Sequence, residues 1–72
     1  PSRYSMLIEW SDEDQSYLVT LPEWVDRVRN PVTHGDTYEA AVHNGREVLE
    51  LLIEDATDAG QPLPRPRLFT SP

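Results

Sequence analysis

Residues 35–60 read GDTYEAAVHNGREVLELLIEDATDAG, and the reading of this stretch decides the fold. Tyr38, Ala41, Val42, Val48, Leu49, Leu52, Ile53 and Ala56 recur at helical spacing, with Gly45 on the same stripe. The other side carries Glu39, His43, Arg46, Glu47, Glu50, Glu54, Asp55 and Asp58. Asp36 is a good N-cap, and Glu39 three residues on completes a capping box, so a helix is predicted over about 37–59. Gly35 lets the chain turn in. Gly60 stands where a C′ residue of positive φ is wanted, and Pro62 forbids continuation. A stripe this apolar needs a surface to cover, and the residues before Gly35 are patterned as one.

Tyr4 to Trp10 alternates, with Tyr4, Met6, Ile8 and Trp10 on one side and Ser5, Leu7 and Glu9 on the other. That is the signature of a half-buried strand. Ser11 to Gln15 is polar, and Ser16 to Leu21 is a second strand, so the pair reads as a hairpin. Pro22 ends the second strand because it has no N–H for a ladder. Glu23 to Pro31 fits an irregular loop, a turn of helix or the start of a third strand. Residues 31–34 make a short third strand. Beyond Gly60, residues 61–67 run as extended, polyproline-like chain, and 68–70 either pair as a last edge strand or stay unpaired. The order β-β-β-α, with an optional final β, predicts a two-layer α+β domain with an antiparallel sheet and one long helix on one face. The helix should lie on the Tyr4, Met6, Ile8, Trp10 side. The opposite sheet face, carrying Leu7 and, by register, either Leu18 or Tyr17, Val19 and Leu21, has no second helix to cover it.

At 72 residues the chain is read as one domain with a marginal core of its own. It has no cysteine, so no disulfide or thiolate metal site staples it. Association with another chain, as a homodimer or higher homo-oligomer, is the expected remedy. The net charge is −7, and all six basic side chains are arginine. Such a field repels nucleic acid and acidic membranes and favours a basic protein partner. No apolar run approaches the roughly 18 residues of a membrane span, and no signal-peptide pattern is seen, so the cytoplasm is expected.

The hairpin, the short third strand, the run His34-Gly35-Asp36-Thr37, the Ala-, Glu- and Leu-rich helix and the exit Gly60-Gln61-Pro62-Leu63-Pro64-Arg65-Pro66 together resemble the HicB antitoxin family, over about residues 4–67. The resemblance implies a partial RNase H-like fold without that fold's catalytic carboxylates. It also implies a partner, a small basic HicA-type toxin that cleaves messenger RNA. Two features depart from the family. The stretch from Pro22 to Asn30 replaces a shorter Leu-Pro-Gly-type turn. Only five residues follow Arg67, so no C-terminal DNA-binding module and no direct nucleic-acid binding are expected.

Asp12, Asp14 and Ser16, with Glu23 at the twelfth position, have calcium-loop spacing, but Tyr17 stands where the loop needs glycine. A solvated hairpin tip is the plainer reading. His43 lies one helical turn from Glu39 and Glu47, which suits a surface Glu–His pair. No nucleophile pattern and no glycine-rich phosphate loop is present, so neither an enzyme nor a cofactor is expected. Glu50, Glu54 and Asp58 oppose the helix dipole, so local stability does not account for them. They are read as a face for a basic partner, or else as a solubilising surface. Trp24 is either a core plug or an exposed anchor, with Asp26 beside it. Trp24, Asp26, Glu50, Glu54 and Asp58 are therefore the expected partner-binding residues. A homo-oligomeric accessory domain is the runner-up function, and a vestigial metal-dependent nuclease using Asp12, Asp14 or Glu9 is a distant third.

Overall fold

The computed structural model describes residues 2–70. The elements are β1 (Leu7–Ser11), β2 (Ser16–Thr20), a single 3₁₀ turn (Pro22–Trp24), β3 (Thr33–Gly35) and α1 (Tyr38–Asp58). The strands form one antiparallel sheet in the order β1-β2-β3, so β1 and β3 are its edges. One helix on one sheet is the expected α+β architecture.

The register decides which side chains the helix meets. Ile8 stands opposite Val19, and Trp10 opposite Tyr17. Tyr17, Val19 and Leu21 therefore share the helix side with Ile8 and Trp10, and Leu18 joins Leu7 on the opposite face. Val19, Leu21, Trp24, Ala41 and Leu49 form the buried cluster, with Tyr4, Met6, Ile8, Leu52 and Ile53 packed against it. The buried helix positions Ala41, Gly45, Leu49 and Ala56 lie on the stripe drawn from periodicity.

Two glycines set how closely helix and sheet approach. A Cβ on Gly35 would stand 2.4 Å from the backbone N of Ala41, so the first turn of α1 lies directly on the end of β3. A Cβ on Gly45 would meet the Met6 sulfur at 2.7 Å and the Val19 Cγ1 at 3.1 Å. The first obstacle is backbone and the second is side chain.

The ends of α1 follow from local chemistry. Thr37, extended at φ −131° and ψ 166°, is the N-cap, and its hydroxyl accepts from the Ala40 N–H at 3.0 Å. This corrects the expected cap at Asp36: β3 keeps the chain extended to Gly35, the helical turn starts one residue later, and Glu39 cannot occupy the capping-box position. At the other end, Gly60 has φ 69°, its N–H donates to the Thr57 carbonyl, and the Gln61 N–H donates to the Ala56 carbonyl. These are the two bonds of a Schellman stop.

One further expectation is revised, and two open alternatives are settled. Tyr4 to Met6 is not paired, because β2 ends at Thr20 and the chain enters the 3₁₀ turn at Pro22, which has no N–H to offer a ladder. Residues 22–28 take the helical alternative: Trp24 donates to the Leu21 carbonyl, and its own carbonyl accepts from Arg27 and Val28. Residues 68–70 form no strand.

Thr37→Ala should cost about 1 kcal/mol in urea unfolding, while Asp36→Ala should cost only a small fraction of that. Equal losses would restore the cap to Asp36. Gly35→Ala should lower the urea midpoint far more than Gly45→Ala. At Gly45 the thioether of Met6 can move and alanine returns roughly 0.5–1 kcal/mol of helix propensity. At Gly35 only backbone is available to shift.

Candidate protein-docking surfaces

Trp24 is 2% exposed. Its ring meets Tyr4 edge to face, with centroids 5.5 Å apart, and the Arg27 guanidinium lies 5.6 Å above it. The indole N–H has no hydrogen-bond partner among the described residues. The anchor reading of Trp24 is thereby corrected: its surface is spent within its own chain, as the plug alternative requires. The sequence lacked the decisive signal, which is that a 3₁₀ turn after Pro22 points the ring back at Tyr4. Asp26, in the same loop, is exposed.

By spacing alone Glu23 stands only at a calcium-loop position. In the fold it is a tie point. Its carboxylate accepts from the Ser5 N–H and hydroxyl and, at 2.9 Å, from the Arg67 N–H. The Tyr4 hydroxyl donates to the Pro64 carbonyl. The N-terminal segment, the 3₁₀ turn and the proline-rich exit are thus knotted together at one end of the sheet. Burial by itself would raise the Glu23 pKa, but the N–H donors of Arg67, of Glu23 itself and of Ser5, with the Ser5 hydroxyl, outweigh it and hold the carboxyl below its ordinary 4.5.

The remaining acids stay apart. Asp12 and Asp14 sit at the hairpin tip, where Ser11 and Gln15 bond them locally. Since Leu7 pairs with Thr20, Glu23 lies at the other end of the hairpin, and the calcium-loop spacing brings nothing together. Among the described residues no group of three or more histidine or acidic side chains is placed to hold a metal ion. His43 Nε2 lies 2.9 Å from Glu47 Oε1, the surface pair the spacing suggested.

Three surfaces remain. The first is the uncovered sheet face, with Leu7 at 47% exposure beside Leu18 and Thr20. The second is the acidic side of α1. Glu50, Glu54 and Asp58 are all exposed, none has an ion-pair partner among the described residues, and the last turn holds no basic residue. The third is a groove of about 800 Å³ between the N-terminal segment and α1, floored by Tyr4, Met6, Leu49 and Ile53 and rimmed by Glu50 and Glu54. Sequence reasoning missed it, because it exists only where residues 2–6 run alongside the helix. The outer edge of β1 lies between the first surface and the other two. Trp10 meets Tyr17 edge to face, and Tyr17 stacks on Tyr38 with centroids 4.3 Å apart.

No family model, curated protein or solved structure shows significant similarity to this chain. Among the described residues no helix is long and apolar enough to cross a membrane.

Glu23 keeps its charge in the folded chain at pH values where the unfolded chain has taken up a proton. The stability it contributes is therefore complete above pH 4.5 and is lost as pH falls below that toward its depressed folded value. The gap in thermal midpoint between the native chain and Glu23→Gln should be widest near about pH 7 and should close in acid. A gap that stays constant on acidification would mean that the carboxylate is not the tie.

Proposed function

We propose that this chain is a HicB-like antitoxin domain that binds a small basic, messenger-RNA-cleaving toxin of the HicA type and occludes its surface. In this reading the domain is a partial RNase H-like fold that works by binding and not by turnover, in the cytoplasm. The observation that carries it is the one-sided roof. The helix covers one face of the sheet, and the face with Leu7 and Leu18 stays open while free carboxylates line the neighbouring helix side. A partner reaching round the β1 edge would meet both.

Each part has a physical role. Glu50, Glu54 and Asp58, with Asp26, supply the long-range attraction that speeds encounter with a basic protein. Leu7 and Leu18 then lose water to the partner, and the outer edge of β1 offers unpaired backbone groups. Trp24 acts from inside, by fixing the loop that presents Asp26. A second reading, a homo-oligomeric accessory domain with no toxin, draws on the exposed apolar residues Leu68 and Phe69 at the end of the exit segment.

The test is co-expression with the product of the adjacent gene, followed by co-purification and a growth assay. Rescue of growth and a stable complex are expected. Replacing Glu50, Glu54 and Asp58 together by Gln should slow association by about tenfold at low salt and flatten its salt dependence. An unchanged on-rate would remove the helix carboxylates from the mechanism, and failure of both rescue and co-purification would end the antitoxin reading.

A further inference from the structure

The exit segment leaves the domain with its side chains unused. Pro64 is held by the Tyr4 hydroxyl and Arg67 by the Glu23 carboxylate, so the backbone from 64 to 67 is fixed on the domain. Beyond that base, Leu68 is 61% exposed and Phe69 is 93% exposed. Neither Arg65 nor Arg67 has an ion-pair partner among the described residues. In a chain of net charge −7, Arg65-Pro66-Arg67-Leu68-Phe69 is cationic and apolar together, with both arginines and both apolar side chains exposed.

The groove beside it is the complement. Its floor is Tyr4, Met6, Leu49 and Ile53, and its rim carries the unpaired carboxylates Glu50 and Glu54, with Arg46 the single opposing charge. No residue of 61–70 lines it, so the tail does not fill its own groove. Tyr4 belongs to both, as floor of the groove and anchor of Pro64, so the tail starts at the groove's end. An extended stretch from 65 to 69 covers roughly 15 Å, and the helix from Arg46 to Glu54 rises roughly 12 Å, so the two match in length.

We propose that two copies of this chain associate by reciprocal exchange: the Leu68–Phe69 end of each seats in the other's groove, with Arg65 and Arg67 against Glu50 and Glu54. A two-fold axis beside Tyr4 makes both contacts at once, so the pairing closes at a dimer. Phe69 supplies the large apolar anchor, and the arginines give orientation. The tied base at Pro64 and Arg67 lowers the ordering cost, since only the last residues are fixed on docking. The inference stands without the antitoxin reading. Because Glu50 and Glu54 also belong to the face offered to a basic partner, the two uses exclude each other.

The experiment is sedimentation equilibrium of the purified chain alone, over a concentration series. The native chain should show a monomer–dimer equilibrium. Three variants should each raise the dimer Kd by about tenfold or more: Leu68→Ser with Phe69→Ser, Arg65→Glu with Arg67→Glu, and Glu50→Arg with Glu54→Arg. Circular dichroism should show each still helical, and the tail variants, which alter only exposed residues, keep the test sound if the helix variant unfolds. Mixing the two charge-reversed variants should restore a heterodimer, because every tail then faces a groove of opposite sign. A native chain that stays monomeric, a dimer indifferent to all three variants, or charge-reversed variants that fold but do not pair would each overturn the proposal. Loss of co-purification with a toxin would not bear on it.

Discussion

The close seating of α1 on β2 and β3 is the constraint from which the rest of the domain follows. At Gly35 the helix backbone rests against strand backbone, and at Gly45 it comes within contact of Met6 and Val19. Any Cβ at Gly35 would push the helix off the sheet at its first turn. Because the layers touch so closely, a residue as small as Ala41 is enough to fill the seam, and Leu49 and Val19 complete it. Dispersion and loss of apolar area then act over the whole length of the helix. Among the described residues the molecule is 22 Å along its shortest axis, as one helix on one sheet dictates.

A domain with one helix and three short strands has little core in reserve, and the fold answers with a polar tie. Glu23 collects donors from Ser5 and Arg67, two segments 62 residues apart in the chain (67 − 5). Tyr4 does the same with Pro64 while packing its ring on Trp24. The irregular ends are thereby fixed to the 3₁₀ turn without a strand ladder. The consequence reaches the surface. The segment held in this way lays residues 2–6 beside the helix, and the groove is the space between them. The tie that stabilises the fold also shapes this groove.

Charge is distributed against local stability. Glu54, Asp55 and Asp58 sit where the helix dipole disfavours them, and no basic side chain answers them in the last turn. Glu50 and Glu54 repel each other across one turn. Each cost is a few tenths of a kcal/mol up to about 1, and the Schellman bonds at Gly60 and Gln61 satisfy two of the last carbonyls at that same end. Carboxylates without ion-pair partners among the described residues thus stand beside the apolar floor of the groove.

The amino-acid sequence by itself determined the helix, its apolar stripe, its stop at Gly60, the hairpin and the α+β class, because each rests on local periodicity and on residues with restricted backbones. It missed the cap by one residue, since Asp36 and Thr37 are both good caps and only the end of β3 chooses between them. Tertiary structure alone decided that Leu18, and not Val19, faces outward, because one residue of register exchanges the two sheet faces. It also decided that Trp24 points inward, that Glu23 is a tie and not a ligand, and that residues 68–70 stay unpaired. Those outcomes depend on contacts between segments dozens of residues apart, and no window of neighbouring residues contains the information that selects them.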